Sequence, residues 1–173
     1  AVSRLLAQHQ LTLACVEIGA ANWINQWMLE ADAGLHESSG PLGANRGNGE
    51  DRAETGHRTN HGFVGGLTFP TLTQAKHWCA GQTFEPSELW ERLARQAQQQ
   101  FSADVVLLVC GYPTVGQAAA GDGTFDFDFA LAIGDSVTLE HRSLGGHPDV
   151  LAARAAKVGL DWLRKKLTLF TKE

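Results

Sequence analysis

Apolar residues recur at helical spacing over Ala1 to His9, where Val2, Leu5 and Leu6 share a stripe, and the run Leu11 to Val16 that follows reads as a short strand. Gly19 punctuates the turn, after which Ala20 to Glu30 returns to a helical period with Trp23, Ile24, Trp27 and Met28 on one side. Phe63 to Phe69 predicts a second strand stopped by Pro70, and Thr71 to Trp78 a helix capped at Thr71 or Thr73 and closed by Gly81. Leu89, Leu93, Ala97 and Phe101 repeat at helical spacing, so Glu88 to Phe101 predicts a helix. Ala103 to Cys110 is a continuous, β-branched apolar run, as expected of a central strand covered on both faces. After a Gly- and Ala-rich loop over Thr114 to Thr124, Phe125 to Ile133 and Ser136 to Ser143 predict a hairpin turning at Gly134-Asp135. A last amphipathic helix runs from about Pro148 to Phe170, with Arg164, Lys165 and Lys166 suited to its negative end.

Between Ala31 and His61 the pattern breaks: six glycines and almost no apolar residue after Leu42 predict a flexible insertion. The remaining elements alternate strand and helix, then close with a hairpin and a helix. That order predicts an α/β fold, a three-layer α/β/α sandwich on a mixed sheet, as one domain over residues 1–173. Leu11 to Val16 and Val105 to Val109 should be neighbouring strands in it.

Composition narrows the partners. A formal net charge of -5 offers no basic field for a phosphate backbone, which argues against nucleic acid. No window approaches the length of apolar chain that spans a bilayer, and no leader pattern opens the sequence, so a cytoplasmic protein with no membrane partner is expected. Cys15, Cys79 and Cys110 are dispersed and odd in number, as in reduced proteins. His36, His57 and His61 lack the spacing and the Cys or Asp partners of a metal site, and no metal or cofactor is expected. Five tryptophans fall on predicted helices, where Trp23 and Trp27, one turn apart, serve a core or a dimer face. Phe125, Phe127 and Phe129 alternate with Asp126 and Asp128, which puts the carboxylates on one face, solvated unless a cation or basic ligand sits there.

Four phrases carry a family resemblance. They are Glu17-Ile18-Gly19-Ala20-Ala21-Asn22, Leu72-Thr73-Gln74-Ala75-Lys76, the strand Val105 to Val109 leading into Cys110-Gly111-Tyr112-Pro113, and Gly145-Gly146-His147-Pro148 before the Ala-rich last helix. Together with the element order they resemble the CinA C-terminal domain family, whose members with intact motifs hydrolyse the amide of nicotinamide mononucleotide through a serine assisted by a lysine. The resemblance implies a bacterial protein, a homo-oligomer and a nucleotide-like small-molecule ligand. It places Ile18 at the usual serine position, retains Lys76, and sets His147 and Pro148 where an acid and an arginine are usual.

Amide cleavage needs a nucleophile, a proton acceptor and donors to the oxyanion, and isoleucine has no heteroatom. Three readings follow: a catalytically degenerate protein that retains ligand binding, an amidohydrolase with a rearranged site, and a self-associating module without catalysis. In the second, Cys110 or a serine of the long loop attacks with Lys76 as base; Cys110 qualifies because it ends a central strand where a turn opens, although buried unreactive cysteines are the commoner case. Candidate ligand contacts are Glu17, Asn22, Lys76, Gly111 and His147. Against them stand plainer roles: Glu17 accepting bonds from the first amides of the next helix, Asn22 capping or solvated, Lys76 a solvated helix lysine.

Overall fold

The computed structural model describes residues 1–19, 21–38, 62–79, 88–113 and 123–170, with side chains omitted for 32–38 and Asp149. Five helices and five strands occur among the described residues: α1 (Val2–His9), β1 (Thr12–Ile18), α2 (Trp23–Ser38), β2 (Gly62–Phe69), α3 (Leu72–Trp78), α4 (Leu89–Phe101), β3 (Val105–Cys110), β4 (Gly123–Ile133), β5 (Ser136–Gly146) and α5 (Pro148–Leu169). The strands form one mixed sheet in the order β2-β1-β3-β4-β5. β1 lies parallel to both β2 and β3, whereas β4 and β5 add antiparallel.

The strand pleat sorts the core into two layers. Leu13, Cys15, Val105, Leu107, Val109, Phe127, Phe129 and Leu131 pack with α1, α2 and α5. Ala14, Val16, Ile18, Val106, Leu108, Ala130 and Ala132 pack with α3 and α4. This is the three-layer α/β/α sandwich expected, with β1 and β3 adjacent and covered on both faces, which is why neither strand shows polar alternation.

Local chemistry explains the ends of the elements. Asp104 accepts bonds from the Thr12 amide and hydroxyl, both at 2.8 Å, while Thr12 Oγ1 accepts from the Asp104 amide at 2.9 Å, clamping the starts of β1 and β3. Thr71 caps α3 by accepting from the Gln74 amide. The hairpin turns at Gly134-Asp135, where Gly134 has a φ of +53° and the Arg95 guanidinium of α4 donates to both carbonyls.

Several boundaries differ from the sequence expectation. β1 runs on to Ile18, because hydrogen bonds to β2 and β3 continue past the apolar run. α2 continues to Ser38, eight residues into the stretch read as an insertion, because loss of the apolar period does not by itself end a helix. The rest of that insertion, His57 and His61, the closure at Gly81 and most of the 114–124 loop lie outside the described residues. β5 reaches Gly146, since cross-strand bonds carry the ribbon past the end of β3. Among the described residues no helix is long and apolar enough to cross a membrane.

Leu107 sits fully buried at the centre of β3. Leu107→Ala should lower the unfolding free energy by about 2–5 kcal/mol in urea denaturation, with an unchanged m-value.

Candidate functional site

Ligands of open α/β sheets bind outside the carboxyl ends of the parallel strands, and here that edge is formed by Phe69, Ile18 and Cys110, in register across β2, β1 and β3. Successive residues at the end of β1 point to opposite faces, so this edge carries two separate environments.

On the α2 side lies Glu17, which is 0% exposed. Its Oε1 accepts from the Ile24 amide at 3.1 Å and from the Tyr112 hydroxyl at 2.9 Å, and its Oε2 accepts from the Asn25 amide at 3.0 Å. Ile24 and Asn25 belong to the first turn of α2, so the carboxylate caps the helix from seven residues upstream, where the amides and the helix dipole favour negative charge. Burial raises the Glu17 carboxyl above its ordinary value of 4.5, while the amides of Asn25 and Ile24, then Tyr112 and Trp23, pull it back down. Burial, followed by the charge of Glu17, holds the Tyr112 phenol well above its ordinary value, which keeps it a donor.

Two glycines make this arrangement possible. Gly19, at a φ of +128°, runs so close to Tyr112 that an added Cβ would lie 2.6 Å from the tyrosine Cβ. Gly111, at +105°, passes the β4 backbone with room for a Cβ only 2.2 Å from the Asp126 carbonyl oxygen. A side chain at either position would meet both backbone strain and a clash. Gly111 therefore has a packing role that accounts for its presence.

On the α3 and α4 side the end of β1 is apolar. Ile18 is buried among Val16, Ala75 and Leu93 of the same cluster. Cys110, beside it in register, is half-buried; burial first, and then the charge of Asp128, push its thiol up to about 12, against a smaller pull from the Gly111 amide. At neutral pH such a thiol is ionised only to a fraction on the order of 10⁻⁵. Lys76 lies exposed on α3, next to the buried Ala75. Asn22 is exposed immediately before α2, and the amides it would cap are those held by Glu17. His147 is exposed at the start of α5, beyond the end of the β4–β5 ribbon.

The structure thus brings Ile18 and Cys110 together and places Glu17 with Tyr112 on the opposite face of the sheet. Two features escaped sequence reading. Tyr112, the sole tyrosine, reads as part of a turn, and only its position directly after a strand-ending glycine hints at a role. Asp126 and Asp128 do face outward, and the basic group between them is the His141 imidazole of β5: Nδ1 lies 2.8 Å from Asp128 and Nε2 3.7 Å from Asp126. The hydrogen bond to Asp128 raises the His141 pKa. A pairing of Asp128 with His141 depends on strand register, which periodicity alone does not supply. Elsewhere, a polar groove of about 520 Å³ along α4, lined by residues such as Glu91, Arg92 and Arg95, shares no residue with this edge.

A mixed five-stranded sheet between two helical layers, with a helix capped at the switch between β1 and β3, defines an open-sheet α/β protein. No family model and no curated protein matches the chain by sequence. In three dimensions it is similar to a competence-damaged protein (CinA) superfamily protein from Klebsiella pneumoniae, at 14% identity and a TM-score of 0.59, covering 98% of this chain and 94% of that one. A CinA superfamily protein from Enterobacter cloacae aligns at 18% identity and a TM-score of 0.59, over 96% of this chain and 90% of that one. A competence or damage-inducible protein from Enterobacter asburiae aligns at 17% and 0.59, over 96% of both. The fold of the chain is that of CinA superfamily proteins, in agreement with the resemblance of its motifs.

The Glu17 site sets a pH dependence. Its folded pKa is raised, so the stability it contributes is present below the unfolded value near 4.5 and is lost as pH rises through the folded value. Chemical denaturation from pH 4 upward should show this decline in the wild type and a flatter profile in Glu17→Gln. Tyr112→Phe should raise the Glu17 pKa further, as followed by carboxyl NMR titration, and cost about 1–3 kcal/mol.

Proposed function

We propose that this chain is a CinA-type protein without the serine–lysine amidohydrolase chemistry of the nicotinamide mononucleotide deamidase family, serving instead as a small-ligand-binding protein. The observation that carries the reading is the burial of Ile18 at the end of β1, beside a thiol pushed up to about 12. A serine at that position would have a hydroxyl to offer a neighbouring base; the isoleucine offers a hydrocarbon, and Cys110 remains protonated. Lys76, exposed on α3, has no nucleophile beside it to activate at Ile18. Loss of a single oxyanion donor costs about 2.7–4 kcal/mol in established cases, and loss of the nucleophile removes the covalent route altogether.

The nature of the ligand is constrained by Glu17. A nucleotide-like molecule, which the family resemblance implies, would have to place its phosphate away from α2, because the Ile24 and Asn25 amides already serve an internal carboxylate. A thermal-shift series comparing nucleotides with their nucleosides should therefore show little gain from the phosphate.

Nicotinamide release from nicotinamide mononucleotide by the purified protein should not exceed background. Turnover that vanishes in Cys110→Ala would replace this reading with the rearranged amidohydrolase. Alkylation supplies a second measure: iodoacetamide should modify Cys110 at neutral pH far more slowly than an unperturbed thiol.

A further inference from the structure

Where α1, α2 and α5 meet, the helical layer opens into a cleft of about 320 Å³ that shares no residue with the Glu17 and Ile18 edge of the sheet. That volume lies at the small end of ligand pockets, with room for one or two fused rings. Its lining is mostly apolar: Val2 and Met28, 9% and 3% exposed, together with Leu160 and the half-buried indole of Trp27. Trp23, one turn earlier on α2, braces that indole, with ring centroids 5.5 Å apart.

Three polar features converge on this lining. Ser3 is only 8% exposed, yet its side chain makes no hydrogen bond with the described residues. A hydroxyl so far withdrawn from water ordinarily has a partner. Ser3 lies in the first turn of α1, which holds no acid and follows Ala1 without a side-chain capping bond, so the positive end of that helix is left unneutralised. At the rim, Arg164 donates to Asp161 from Nε at 3.1 Å and from Nη2 at 2.8 Å. Two of its five N–H groups are thereby used and three remain. Lys165 shares the same carboxylate, so the rim carries two cations to one acid. Hydrogen bonds from Lys165, then Arg164, hold the Asp161 carboxyl below its ordinary range, which preserves that balance at neutral pH.

We propose that this cleft binds a small aromatic carboxylate, its ring lying against Trp27 and its carboxylate accepting bonds from the Ser3 hydroxyl and the remaining N–H groups of Arg164. Each half of such a ligand answers a separate feature of the site. The ring displaces water from hydrocarbon and indole. The anion gives Ser3 its partner and meets the positive end of α1 and the guanidinium. A neutral aromatic leaves the hydroxyl and the excess positive charge unanswered, and an aliphatic acid forgoes the indole face.

Isothermal titration calorimetry of the full chain with indole-3-acetate tests the assignment, with far-ultraviolet circular dichroism to verify the folding of each variant. The wild type should bind indole-3-acetate at least about tenfold more tightly than indole, which lacks the carboxylate, and more tightly than cyclohexylacetate, which lacks the aromatic ring. Arg164→Gln, a change at the surface, should weaken indole-3-acetate about tenfold and leave indole unaffected. Ser3→Ala should act in the same direction, whereas Trp27→Ala should weaken both aromatic ligands. Cys110→Ala should bind as the wild type does, which separates this cleft from the carboxyl edge of the parallel strands. Absence of binding at millimolar ligand, equal affinity for indole and indole-3-acetate, binding indifferent to both Arg164→Gln and Trp27→Ala, or binding lost in Cys110→Ala would each overturn the proposal.

Discussion

A carboxylate removed from water must be met by donors, and around Glu17 two separate parts of the chain supply them. The first turn of α2 contributes the Ile24 and Asn25 amides, and the segment after β3 contributes the Tyr112 hydroxyl. Because an unsatisfied buried charge costs several kcal/mol, these partners cannot drift apart independently. The direction of α2 leaving β1, the crossing of Gly19 over Tyr112 and the turn at Gly111 are therefore a single linked arrangement. Everything at the carboxyl edge of the parallel strands is built on that link.

The same linkage limits what the edge can bind. A helix start that opens onto a ligand crevice ordinarily offers free amides to an anion. In this protein the Ile24 and Asn25 amides are already taken by an internal carboxyl group, which fixes the orientation of α2. Across the sheet, only one residue further along β1, Ile18 lies in a layer rich in alanine and valine against α3 and α4. Among the described residues, neither Glu17 nor Ile18 supplies the nucleophile that amide hydrolysis requires.

At the far side of the sheet the polar chemistry is of another kind. Asp126, Asp128, His141 and Ser143 cross-link β4 to β5 on an exposed face, Ser143 donating to Asp126 at 2.5 Å. These contacts tie β5 to β4 at and beyond the end of β3.

Much of this was legible in the order of residues. The continuous apolar runs of β1 and β3, the Gly134-Asp135 turn, the Thr71 cap, the alternation of Phe127 and Phe129 with Asp126 and Asp128, and the missing heteroatom at Ile18 all follow from local chemistry, which depends only on neighbours along the chain. Glu17 was legible as a helix cap in type, since a carboxylate before a helix suits its dipole. What only the tertiary structure decided is who stands opposite whom. Tyr112 reaches Glu17 across 95 positions, Cys110 is desolvated beside Ile18 and Asp128, and His141 answers two carboxylates on another strand. Each depends on strand order and register, and a shift of one residue would turn every one of those side chains to the other face of the sheet.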